Sequence, residues 1–135
     1  MKVVSSVYTY RVLKSSWGVA IDVDAEVREG AGRDALSVGP GLWLRDATAR
    51  QQLSPAVLQM LALGLRPLVT PIRRVTGGRE QVVEVRALQY NDCDFQFEAL
   101  APAMYGWAVA EFGLTAPQVE VAFGGRERRY VFTLP

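Results

Sequence analysis

Half of the 135 residues are apolar and a tenth are aromatic, enough to bury a core in a single domain spanning residues 1–135 without disulfides or metal. Histidine is absent and Cys93 is the only cysteine. This removes imidazole acid–base catalysis, Ser-His-Asp and Cys-His nucleophile systems, most zinc sites and any internal disulfide. Fifteen basic against fourteen acidic residues leave a net charge of +1, without the basic excess usual in nucleic-acid binders.

No run of about 18 uncharged apolar residues is present, so no membrane span is expected. The opening Met1-Lys2-Val3-Val4 lacks the apolar core of a signal peptide, which makes a cytoplasmic protein the simplest reading. Thirteen of the fifteen basic residues are Arg and Ala, Gly and Val are abundant, a bias expected of a GC-rich bacterial genome.

Residues 2–13 are rich in Val, Tyr and Thr and read as a strand. Apolar groups fall on both of its faces, as in a central strand or one that lies against a partner. After the turn at Lys14-Ser15-Ser16, Trp17 to Arg28 alternates cleanly. Trp17, Val19, Ile21, Val23, Ala25 and Val27 take one face, and Asp22, Asp24, Glu26 and Arg28 the other. The turn Glu29–Asp34 precedes residues 35–44, a short edge strand broken by Gly39-Pro40-Gly41. Residues 45–52 read as loop.

Ser54 is the N-cap of the first helix, Pro55 its first residue, and Leu53 and Leu58 are spaced for a hydrophobic staple. Pro67 and Pro71 predict a kink or a second short helix after Arg66, which Gly77-Gly78 stops. Val82 to Leu88 is a strand. A second long helix is expected from about Phe95 to Phe112, capped by Asp94, with Phe97, Leu100, Ala101, Met104, Trp107, Ala108 and Phe112 as its core stripe. Pro102 and Gly106 predict a bend in it. Residues 118–123 and 129–134 are strands around Gly124-Gly125, a hairpin signal. The order is β-β-(β)-α-β-α-β-β. It predicts an α+β two-layer sandwich with a mixed four- to six-stranded sheet and two helices on one face.

The middle of the chain, roughly residues 17–123, resembles domain IV of elongation factor G and the tetracycline-resistance ribosomal protection factors. The resemblance rests on the Trp17-Gly18 step opening an alternating strand, the proline-started helix Ser54-Pro55-Ala56-Val57-Leu58 with Gly64 further along, and the strand, polar loop and helix from Val83 to Trp107. It implies the fold of the second domain of small-subunit ribosomal protein five, including a left-handed βαβ crossover. The family's glycine-rich loop is replaced here by Leu13-Lys14-Ser15-Ser16 and its histidine is missing. The resemblance therefore implies a fold and does not extend to ribosome binding.

Four groups of residues carry candidate chemistry. Asp22, Asp24 and Glu26 could offer oxygen ligands to a hard cation, but they read more simply as a wet strand face paired with Arg86 or Arg128. Asn91, Asp92, Cys93 and Asp94 form a strand–helix junction, a common place for a binding site. Two carboxylates and the lack of a histidine base argue there for an Asx-turn and helix cap, and against a nucleophilic Cys93. Arg66, Arg73, Arg74 and Arg79, with Arg126, Arg128 and Arg129, could form an Arg-aromatic RNA surface with Trp17 and Trp43, but read more simply as helix-dipole complementation and ordinary surface charge. Leu42 and Trp43 in the broken edge segment, and Tyr105 off the helix stripe, are the interface candidates.

The reading that follows is a non-catalytic protein-interaction or assembly module, without metal, cofactor or catalytic residues, that associates with itself or with another protein. An RNA- or ribosome-associated protein is the second reading, with Arg73, Arg74 and Arg128 as binding residues. A ligand-binding protein or enzyme built on Asn91–Asp94 is the third.

Overall fold

The computed structural model describes residues 5–15, 17–124 and 128–135. Five strands form one mixed sheet: β1 (Ser6–Leu13), β2 (Gly18–Glu29), β3 (Leu36–Gly39), β4 (Leu42–Asp46) and β5 (Gln81–Tyr90). Their spatial order is β1-β2-β5-β4-β3, with every pair antiparallel except β4 and β5. Parallel neighbours need a long crossover. It is supplied by α1 (Pro55–Leu65), a 3₁₀ turn at Arg66–Leu68 and α2 (Val69–Val75). After β5 come α3 (Leu100–Glu111) and a separate antiparallel hairpin, β6 (Glu120–Gly124) and β7 (Arg129–Thr133). The α+β sandwich is as expected. The mixed sheet has five strands, and the last two form a small sheet of their own.

The alternation of β2 sets its burial. Val19, Ile21, Val23 and Ala25 are fully buried while Ala20, Asp22 and Asp24 are half-buried. Their partners in the core are Leu61 and Leu65 of α1, Leu68, Ile72 of α2 and Leu100, Met104, Trp107 and Ala108 of α3. Where Asp24 gives way to Ala25 the register against β5 shifts, and Arg86 is the extra residue. Beyond this bulge Glu26 stands directly opposite Glu84.

The segment 35–44 is corrected from one broken strand to two. Pro40 and Gly41 turn the chain, and Gly41 takes the positive φ of 76° that this turn requires. β4 is thereby inserted between β3 and β5, which buries Leu42 and Leu44.

The first helix begins as expected, with Val57 N donating to Ser54 Oγ at 3.2 Å. Pro67 divides it, and Pro71 falls in the first turn of α2, where no backbone N–H partner is lost. Gly77 and Gly78 have positive φ, and Gly78 N donates to Arg73 O at 2.8 Å, the closing bond of a Schellman stop. Taken together, Pro55–Val75 is long and apolar enough to cross a membrane by length and composition alone. In the fold it sets Leu61, Leu65, Leu68 and Ile72 into the core.

The second long helix starts later than expected. Asp92–Asp94 and Phe97–Ala99 are two short 3₁₀ turns, and α3 begins only at Leu100. Asp94 is therefore not its cap. With this start Pro102 is the third residue of the helix, a position whose N–H has no helical partner, and the helix runs unbroken through Gly106. Eight of its twelve residues are buried, so its buried surface is much wider than one stripe.

Candidate interaction edge and groove

β1 is one border of the five-stranded sheet and, among the described residues, pairs with β2 alone. Tyr8, Tyr10 and Val12 turn their side chains to the core, where they pack as partly buried groups. Gly106 makes this possible, because a Cβ there would lie 2.5 Å from the Tyr8 ring. Trp107 Nε1 donates to Ser6 O at 3.1 Å and Ser6 Oγ to Glu111 Oε2 at 2.5 Å, which fastens the start of the strand to α3.

Beside this border lies an open groove of about 890 Å³. One wall is β1 from Tyr8 to Lys14, the second is the Pro102–Ala110 side of α3, and the third is the segment from Ala116 to Val121. The Tyr105 hydroxyl holds that third wall by donating to Pro117 O. Burial pushes the Tyr105 phenol up. It also pushes up the phenol of Tyr10, with Tyr8 contributing, and the buried Tyr10 hydroxyl has no hydrogen-bond partner among the described residues. The lining is mainly apolar and tyrosine surface with two cations, Arg11 and Lys14, and no carboxylate.

The hairpin closes the far end. Tyr130 is buried, its hydroxyl donates to Trp17 O at 2.7 Å and accepts from Lys14 N at 2.8 Å. The Gln96 amide pairs with the Tyr130 backbone in both directions, at 2.7 and 2.8 Å. Trp17, Phe123 and Tyr130 pack edge to face. On the side of β1 away from the helices the surface is open. Val7 is 63% and Leu13 74% exposed, and Thr9 Oγ1 between them donates to Asp22 Oδ1 at 2.6 Å.

The same sheet face carries an ion network. Glu84 is bound by Arg28, and by Arg45 at 2.8 Å, and Glu26 by Arg28 at 3.3 Å and Arg86 at 3.7 Å. Both carboxylates are buried, Glu84 at 6% and Glu26 at 4% exposure. Burial alone would raise the Glu84 carboxyl. Hydrogen bonds from Arg45 and Arg28, the Arg28 charge and the hydrogen bond with Glu26 outweigh it and hold the group below the ordinary carboxylate value. In the acidic row of β2, Asp22 is thus bound by Thr9 and Glu26 by Arg28 and Arg86, while the buried Asp24 Oδ1 has no hydrogen-bond partner among the described residues. Arg86 was one of the expected partners, and the other, Arg128, is not in the network.

The other candidate residues are dispersed. Asn91, Asp92, Cys93 and Asp94 are all exposed on the 3₁₀ turn, beside a Tyr90–Phe95 stack at 3.9 Å. A shallow depression on the sheet borders Asn91 but not Asp92, Cys93 or Asp94. Leu42 is wholly buried and Tyr105 is 4% exposed, which corrects both as interface residues. The β4 insertion hides the first, and the segment bound through Pro117 covers the second. Trp43 is half-buried against the turn at Gly32. Arg73 and Arg74 end α2, near the β3–β4 turn. Arg128 belongs to the hairpin on the β1 side, so these exposed guanidiniums stand at opposite borders of the sheet. Arg126 and Gly125 lie outside the described residues. The apolar groups on both faces of β1 are the sequence signal of this border, and of the two readings they allow, a central strand or one that lies against a partner, the first is excluded by its place at the edge of the five-stranded sheet. No protein-family model and no curated protein matches the chain.

Proposed function

We propose that the protein is a non-catalytic protein-interaction module that docks an extended chain segment along β1. A single observation carries this reading. Among the described residues the bordering strand has one unpaired side, and that side opens on a groove walled by tyrosine, valine and proline. An added strand gains backbone hydrogen bonds from such a border and specificity from alternate side chains. The groove offers grip without an evident reacting group, since its polar members are hydroxyls, an amide, an ammonium and a guanidinium.

The test is selection of extended peptides from a displayed random library, followed by amide hydrogen exchange with a selected peptide. Protection concentrated in β1 and residues 116–121 supports the reading. Selection of no peptide, or protection elsewhere, refutes it.

A further inference from the structure

The outward row of β1 is self-complementary. From the structure we infer that β1 pairs antiparallel with β1 of a second copy, about a twofold axis at Tyr10, and this inference rests on the docking-edge reading above. Opposed residues in an antiparallel pair share a face, so only registers that match odd-numbered with odd-numbered residues keep the row Val7, Thr9, Arg11 and Leu13 on one side. Among these, the register about Tyr10 sets Val7 against Leu13 of the second copy, twice. These are the two most exposed large apolar residues of the described chain, and each covers the other. A shift by one step in one direction opposes Val7 to Arg11, and in the other direction opposes Arg11 to itself.

Charge agrees with the same register. Arg11 then faces Thr9, whose hydroxyl is already bound to Asp22, so the guanidinium meets a carboxylate. Lys14 faces Ser6, whose hydroxyl is bound to Glu111. By symmetry each copy presents two cations to two carboxylates of the other, and no like charges oppose one another. Tyr8 and Val12 are opposed on the inner face.

Light scattering across a dilution series reads the assembly, and oxidative cross-linking in a Cys93→Ser background reads the register. The expected mass is that of two chains, falling to one on dilution. Arg11→Glu and Asp22→Lys should each raise the dissociation constant tenfold or more at low salt. An equimolar mixture of the two should recover the mass of a pair, because each new charge meets its opposite. Thr9→Cys mixed with Arg11→Cys should give a covalent heterodimer, and Thr9→Cys mixed with Leu13→Cys should not. A mass of one chain at every concentration overturns the inference, as does a pair in which the two charge variants fail to complement or the cross-link follows another register. A single-chain mass together with a peptide that binds β1 overturns the self-pairing and leaves the docking edge standing. Neither pairing nor peptide binding overturns both.

Discussion

Gly64 is the point where α1 and α3 touch, and Gly64→Ala tests the packing that supports the groove. A Cβ at this position would lie 2.1 Å from Ala101 O, 2.9 Å from Ala101 C and 3.1 Å from Tyr105 N. All three atoms are backbone, so no side chain can rotate away. Restoring an ordinary carbon–oxygen contact requires the helices to part by about 1 Å. Leu61 and Leu65 on one helix and Leu100 and Met104 on the other sit in the core that this movement would open. Overpacking of this kind costs about 1–3 kcal/mol, and the absence of a yielding side chain places the substitution at or above the top of that range. Alanine returns about 1 kcal/mol of helix propensity. The net expectation is a loss of about 2 kcal/mol or more, which for a chain of this length lowers Tm by about 6 °C or more. Thermal and urea unfolding measure it. Leu63→Ala, at an exposed position on the same helix, serves as the control and should cost less than about 1 kcal/mol. A Gly64→Ala protein as stable as the parent would mean that propensity outweighs contact, and the close crossing would be refuted.

Glu84→Gln should destabilise the protein by about 1–2 kcal/mol at pH 7, less than a fully buried pair because Arg28 and Arg45 reach solvent. The lowered Glu84 carboxyl contributes stability above the unfolded-chain value of about 4.3, and loses it as pH falls through its folded value. Denaturant unfolding across pH 2–7, roughly the carboxylate range, should therefore show a shallower acid limb in the variant, and an unchanged limb would exclude this role. Gln96→Ala strands the buried backbone of Tyr130 and should cost about 2 kcal/mol, with loss of native tryptophan fluorescence from Trp17 reporting the hairpin. Tyr105→Phe releases Pro117 and should cost about 1 kcal/mol, with faster proteolysis between residues 113 and 119. Unchanged cleavage there would show that the hydroxyl does not hold the wall.

What the sequence disclosed follows the range of the interactions involved. The β2 alternation, the Ser54–Pro55 start, the break at Pro67 and the Gly77–Gly78 stop are local, and each is where the residues place it. The position of β4 is not local. Nothing between Leu36 and Asp46 tells that the second half lies beside β5, so Leu42 reads as an exposed border residue when it is core. Tyr105 fails for a related reason. Helical period assigns one buried face, whereas α3 is covered by α1, by the sheet and by the segment bound through Pro117. The pairing of Glu26 with Glu84 depends on the single extra residue at Arg86, which no pattern of polar and apolar groups reveals.

The two borders of the sheet are unequal. β3 has four residues, shifts register before Gly39 and ends before Pro40, while β1 keeps one register over eight residues. Strand addition needs a regular row of backbone groups, and of the two borders of the five-stranded sheet only β1 supplies one between its bound ends at Ser6 and Lys14. A protein with two good borders would add copies without limit and grow into fibres. The twofold pairing inferred above would use the one regular border of the five-stranded sheet, so association through that sheet would stop at two copies. The shortness of β3 would then set the size at which such association stops.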